Sequence, residues 1–236
     1  MTGDLYVGTS GFAYPEWKGV FYPEGVTNKK MLEYYSSVLG SVEINYTFRR
    51  MPAETTLMTW KSEAASSFRF TLKAPQRITH FKRLKDVGED VDEFVRRARL
   101  LGDQLGTILF QLPPNMKYER ERLAGFLAAL SPVCRFAMEF RNATFNDDEV
   151  FDLLHENDVA YCGADTDEVA LDAIPVTAKH VYMRLRREEY DAKALKQWGT
   201  KVSALLKKGT DVYCYFKHED GSTGPRYAQT LQKSAI

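Results

Sequence analysis

Hydrophobic and polar positions alternate most cleanly near residues 135–141, where Phe136, Met138 and Phe140 interleave with Ala137, Glu139 and Arg141. A period of two is the pattern of a strand, here with one wholly apolar face and one that ends in opposite charges. Similar stretches predict strands at Leu5–Ser10, Ser41–Asn45, Phe68–Lys73, Thr107–Leu112, Arg135–Arg141, Val159–Asp165, His180–Arg186 and Asp211–Lys217. Helical spacing follows most of them. Asn28 is placed to cap a helix reaching Leu39, and Ala53–Ala65 follows Pro52. Further helices are predicted over Asp92–Leu101, Glu119–Leu130, Asp147–Glu156, Ala192–Lys207 and Pro225–Lys233, with only a short turn in segment 166–178. About eight strand–helix units in this length predict an α/β fold, a (β/α)8 barrel of parallel strands. No linker, repeat or low-complexity segment interrupts it, so residues 1–236 are expected to form one barrel domain.

Alternation also assigns sides. Val42 and Ile44 oppose Glu43 and Asn45; Phe68, Phe70 and Leu72 oppose Arg69, Thr71 and Lys73. Val181, Met183 and Leu185 oppose Tyr182, Arg184 and Arg186, and Val212, Cys214 and Phe216 oppose Tyr213, Tyr215 and Lys217. The continuous apolar sets should meet the helices and the polar sets should point into the barrel. Buried charge is costly, so the charges are expected at the carboxyl ends of the strands.

There the strands offer Ser10, Glu43 with Asn45, Lys73, Gln111, Glu139 with Arg141, Asp165, Arg184 and Lys217. Glu43, Glu139 and Asp165 are the expected inward acids, and Lys73, Arg141, Arg184 and Lys217 the inward bases. A mixed ring with a cationic excess suits an anionic ligand, phosphate above all. Carboxylates beside cations stay ionised, which suits general bases. The competing reading is a salt-bridge network that only closes the top of the barrel.

Composition narrows the classes without choosing among them. Apolar residues make up 44% and charged residues 27%, an ordinary globular mixture. Lysine plus arginine balances aspartate plus glutamate at 32 each, so nothing marks a protein that coats nucleic acid or membrane by bulk attraction. Cys134, Cys162 and Cys214 fall inside strand patterns without metal-ligand spacing and read as reduced core thiols. With no leader-like segment and no apolar run of membrane-spanning length, the expectation is a soluble, cytoplasmic protein.

Two loops add candidates. Residues 11–23 are rich in aromatics: Tyr14, Trp17 and Tyr22 could stack on a base or sugar with Lys18 near a phosphate, or they could pack a lid onto the barrel. Residues 217–225 bring glycines to a helix start, where backbone N–H groups can meet an anion. His80 and His218 fall in loops on the charged side and are candidates for acid–base work, whereas His155 and His180 read as structural. No organic-cofactor motif is present, and a metal among Glu43, Glu139 and Asp165 is the less favoured option.

Several of these segments resemble one family. Gly8-Thr-Ser-Gly-Phe12 with Tyr14, Trp17, Gly19 and Phe21-Tyr-Pro23 is similar to the opening of the YecE-like proteins, the domain of unknown function 72. Val42-Glu-Ile-Asn45, Phe70-Thr-Leu-Lys-Ala-Pro75, Ile78-Thr-His80, Leu109-Phe-Gln-Leu-Pro-Pro114, Glu139-Phe-Arg141 and Tyr182-Met-Arg184 continue the match. The resemblance spans the chain and implies a TIM barrel without supplying an activity. Where members often carry histidine or tryptophan, this chain has Asn142, Phe145 and Arg186, and Arg49 replaces a usual tyrosine. Histidines are lost and cations gained, which favours an anionic ligand. The leading expectation is an enzyme acting on a nucleotide, nucleic-acid end or phosphosugar, held by Lys73, Arg141, Arg184 and Lys217 with Glu43 or Glu139 as base. Ser10, Tyr14, Trp17, Asn45, His80, Gln111 and Tyr215 complete the expected binding set, and Asp165 and His218 the catalytic one. The alternative is a non-catalytic binder of nucleic acid or an acidic metabolite using the same rim.

Overall fold

In the computed structural model, which describes residues 2–217 and 223–235, every predicted strand forms within two residues of its expected bounds. In chain order the elements are β1 (Leu5–Thr9), α1 (Met31–Val38), β2 (Ser41–Ile44), α2 (Tyr46–Arg49), α3 (Glu54–Glu63), β3 (Arg69–Lys73), α4 (Gly88–Ala98) and β4 (Leu105–Gln111). They continue through α5 (Arg120–Ala128), β5 (Arg135–Glu139), α6 (Asp148–Glu156), β6 (Val159–Asp165), β7 (His180–Leu185), α7 (Ala192–Lys207), β8 (Asp211–Phe216) and α8 (Thr223–Ser234). The strands form one sheet in the order β1-β8-β7-β6-β5-β4-β3-β2, and every ladder is parallel. This is the expected barrel of parallel strands wrapped by helices.

The apolar faces pack as the alternation requires. Phe70, Leu72, Phe136, Met138, Val181 and Met183 join helix residues such as Leu57, Phe94, Phe126 and Leu154 in one buried layer between sheet and helices. Each such side chain contributes about 1.5–3 kcal/mol on leaving water. Leu109, Ala137, Ala160, Cys162, Tyr182, Tyr213 and Tyr215 fill the barrel interior as a separate cluster. Local capping sets several helix starts: the Asp147 carboxylate accepts from Glu149 N–H at 2.9 Å and Asp191 from Ala194 N–H at 2.7 Å.

The barrel closes with a seam rather than a ladder. Between β1 and β2 a single bridge joins Ser10 to Glu43. The Tyr35 hydroxyl from α1 fills the gap, accepting from Thr9 N–H at 2.8 Å and donating to the Ser41 carbonyl at 3.2 Å. Gly8 makes this approach feasible, because a Cβ there would lie 1.7 Å from the Ser41 oxygen.

Three expectations change. Asn28 lies within a 3-10 turn, Asn28–Lys30, and accepts from Lys18 Nζ at 3.1 Å instead of capping α1. A short helix α2 and a π-helical turn, Arg77–Phe81, follow β2 and β3 where no element is expected. Charges are not confined to the carboxyl end, since Arg135 and Asp211 pair at 2.6 Å at the amino end of the strands. The Arg135 side chain stays 42% exposed and that of Asp211 17%; burial disfavours the Arg135 charge, but Tyr213 and the ion pair with Asp211 outweigh it.

Candidate functional site

At the carboxyl ends of the strands, side chains from five of them join in one hydrogen-bonded chain across the barrel. Lys73 Nζ on β3 donates to Gln111 Oε1 on β4 at 2.7 Å. Gln111 Nε2 donates to Glu139 Oε2 on β5 at 2.8 Å. Arg184 on β7 spans the two acids, donating through Nη1 to Glu139 Oε2 at 2.7 Å and through Nη2 to Glu43 Oε1 on β2 at 2.8 Å. Ser10 Oγ and the Tyr182 hydroxyl close the chain on Glu43. The register explains the convergence: Gln111 and Glu139 are direct neighbours on paired strands.

The two ends of this chain differ. Glu43 is fully buried, and both its oxygens are taken up by Arg184, Ser10 and Tyr182. Burial pushes its pKa up, but the Arg184 charge and the Tyr182 and Ser10 hydrogen bonds outweigh it and hold the carboxyl at about 2. Its ionisation should therefore stabilise the fold above the usual carboxylate range, and that contribution should fade as pH falls from about 4.5 towards 2. Urea unfolding at pH 6 and pH 2.5 checks this: Glu43→Gln should shrink the stability difference between the two by on the order of 2 kcal/mol.

Lys73 is the open end. Its ammonium lies 4.2 Å from the centre of the Phe48 ring and, among the described residues, forms no ion pair with a carboxylate. Desolvation first, and then the Arg184 charge, lower its pKa to about 8 against the opposing pull of Glu43 and Glu139. Arg184 Nε is buried without a partner, and among the described residues no hydrogen bond reaches Glu139 Oε1.

Above the chain lies a cavity of about 870 Å³. Its described wall carries the cations Arg49, Lys73, Arg141, Arg184 and Arg186 against one carboxylate, Glu139. Asn45, Gln111, Asn142 and Asn146 add amides, and Phe48, Phe140 and Tyr161 add aromatic surface. Arg141 is exposed, and among the described residues it makes no hydrogen bond or ion pair.

The structure therefore brings Ser10, Glu43, Asn45, Lys73, Gln111, Glu139, Arg141 and Arg184 to one place. Other expected residues lie elsewhere. Asp165 shares its side of β6 with Val159 and Tyr161, so it points away from the barrel axis, where Arg187, Tyr190 and Leu171 N–H bind it. It therefore faces away from the two inward acids, and among the described residues no group of three His, Cys, Asp or Glu side chains gathers as a metal site. Trp17 and Tyr22 are fully buried and stack on each other, and the Tyr14 hydroxyl donates to the Ser10 carbonyl. The first loop is thus a packed lid, and Trp17 offers no face to a ligand. Tyr215 lies below the charged chain, bonded to Ser41 and Thr71 hydroxyls. His80 stands behind Phe48, ring edge to ring face, outside the cavity wall. Lys217 is half-buried beyond β8 and also outside that wall, and His218 lies outside the described residues.

Sequence reasoning passed over Tyr182, Phe48, Arg49, Asn142, Asn146 and Arg186 as site residues. Tyr182 shares its side of β7 with Arg184, and Arg186 continues the same parity one residue past the strand, so strand period alone was signal enough for both. Arg49 and Phe48 enter from α2, an element too short to leave a periodic trace.

The chain resembles proteins seen before. UPF0759 protein YunF of Bacillus subtilis is 25% identical over 126 residues, which cover 51% of this chain and 44% of that protein, so the match spans under half of the relative's length. A DUF72 family protein from Thermotoga maritima superposes with a TM-score of 0.85 at 26% identity, covering 98% of each chain. A DUF72 family protein from Enterococcus faecalis, 17% identical with a TM-score of 0.82 over 98% of this chain and 95% of that one, shows the shared fold alone. Among the described residues no helix is long and apolar enough to cross a membrane. With the family profile matched from residue 6 to residue 236, this chain belongs to DUF72, a family of proteins of unknown function.

Proposed function

We propose that the carboxyl-end cavity binds a small organic anion, with phosphate as the favoured charged group, and that the protein is an enzyme acting on that molecule. The supporting observation is that, in the described cavity wall, Lys73 and Arg141 stand without a carboxylate partner at the end of a chain that leaves donors of Lys73 and Arg184 unused. Cations crowded at short range repel one another, and an anion seated among them relieves that repulsion. Arg141 and Arg186 would receive the ligand at the opening and Lys73 and Arg184 at the floor. Phe48, Phe140 and Tyr161 give an apolar or ring-bearing portion of the ligand somewhere to pack. Of the two inward acids, Glu139 is the better proton acceptor, because it lines the cavity whereas Glu43 is fully buried outside the cavity wall with both oxygens hydrogen-bonded. The burial of Trp17 and Tyr22 favours a small ligand over a nucleic-acid strand stacked along the first loop.

Calorimetric titration with inorganic phosphate and with simple phosphate monoesters tests the reading. Binding should weaken as salt rises from 50 to 300 mM, by the screening expected of partly exposed charges. Arg141→Ala should lower affinity by about threefold to tenfold while unfolding free energy stays within about 0.5 kcal/mol, since the side chain is exposed and unpaired. Absence of binding by any phosphate compound in wild-type protein at low salt would overturn it.

A further inference from the structure

We propose that Lys73 is a nucleophile that forms an imine with the carbonyl carbon of an anionic aldehyde or ketone held in the carboxyl-end cavity. The inference rests on the anion-binding reading and names the reactive chemistry of its ligand.

Three features of the geometry support it. Lys73 is nine-tenths buried at the end of β3, yet it lines a cavity large enough for a small metabolite. Its nitrogen is positioned by Gln111 and by the Phe48 ring, a neutral acceptor and a neutral face, so no carboxylate within the described residues fixes it as a permanent ammonium. A lysine meant only as a counter-ion would be expected beside Glu139; here the Gln111 amide is interposed, and Arg184 serves the acid instead. Around the nitrogen stand Glu43, Glu139, Arg184 and Arg186, with His80 behind Phe48. Burial and these cations, against the two acids, lower its pKa to about 8, which leaves a reactive amine fraction near neutral pH.

The step balances without any redox partner. The amine lone pair attacks the carbonyl carbon, the C–N bond forms, and the carbonyl π electrons move to oxygen. A proton passes from nitrogen to that oxygen, giving a carbinolamine. Loss of the protonated hydroxyl as water leaves the C=N bond, and hydrolysis reverses it. Glu139, which lines the same cavity and has no described hydrogen bond to its Oε1, is the acid assigned to carry protons in these transfers.

The test treats the full-length protein with glycolaldehyde phosphate and sodium cyanoborohydride, which reduces an imine to a stable amine, and then maps modified peptides by mass spectrometry. Lys73 should be the dominant modified lysine, labelled at least tenfold faster than any other, with a rate that rises through pH 8 and is suppressed by inorganic phosphate. Uncharged glycolaldehyde should label it at least tenfold more slowly. If phosphate binds by calorimetry but Lys73 is labelled no faster than surface lysines, the imine is overturned and the anion site stands. If phosphate neither binds nor protects and the two aldehydes react alike, the anion site is overturned, and the proposal with it.

Discussion

Replacing Arg184 by methionine is expected to destabilise the protein by about 3–5 kcal/mol at pH 7, the usual cost of removing one partner from a buried ionic group. Arg184 is the shared counter-ion of Glu43 and Glu139, and it is 4% exposed. Without it two carboxylates face each other in a low-dielectric interior, and no other cation of the described chain makes an ion pair with either. In a chain of 236 residues this corresponds to a fall in melting temperature of about 10 °C. The deficit should narrow below pH 4, where protonation removes the uncompensated charge in the variant, and Glu43→Gln added to Arg184→Met should recover part of it. Thermal unfolding across pH checks each point. A variant as stable as wild type at neutral pH would show that the ring carries no energetic weight.

Lys73→Met should have the opposite effect on stability and the larger effect on binding. The folded state holds the Lys73 pKa near 8, below the ordinary 10.5, so folding disfavours its charged form. That penalty is complete below about pH 8 and is relieved as pH rises to 10.5. Methionine keeps the apolar contact with Phe48 and removes the charge, though it leaves the Gln111 carbonyl without its donor. The net expectation at pH 7 is a gain on the order of 2 kcal/mol that disappears by pH 10.5, with phosphate affinity reduced at least about 100-fold. Denaturant unfolding and calorimetry on the same preparation read both quantities. One hydrogen-bonded chain thus contains a structural end at Arg184 and Glu43 and a costly, unpaired end at Lys73. A charge kept where it costs stability is what the proposed anion-binding role of Lys73 predicts.

Most of the architecture was legible because strand period and helix period differ so plainly in this chain. On β5, Phe136 and Met138 declare the helix side and Glu139 falls on the inner one; β2, β3 and β7 repeat the logic for Glu43, Lys73 and Arg184. Where side chains are small the signal fails. The β6 sequence Val-Ala-Tyr-Cys-Gly-Ala-Asp mixes small residues on both faces, so Asp165 was counted with the inward acids although its parity follows Val159 and Tyr161. The first loop was ambiguous for a different reason. Aromatic residues stack on ligands and on each other by the same forces, and only three-dimensional packing shows that Trp17 is occupied by Tyr14, Phe21 and Tyr22. The hydrogen-bonded order Lys73–Gln111–Glu139–Arg184–Glu43 depends on strand register and side-chain reach, neither of which is written in periodicity.

The most direct measurement is the location of a bound anion. Crystals soaked in tungstate, a phosphate mimic with strong anomalous scattering, should show a peak in the carboxyl-end cavity within hydrogen-bond reach of Lys73 Nζ and of Arg184 Nε or Arg141. Anomalous peaks confined to other surfaces, with that cavity holding none, would contradict the assignment of the charged chain to a ligand.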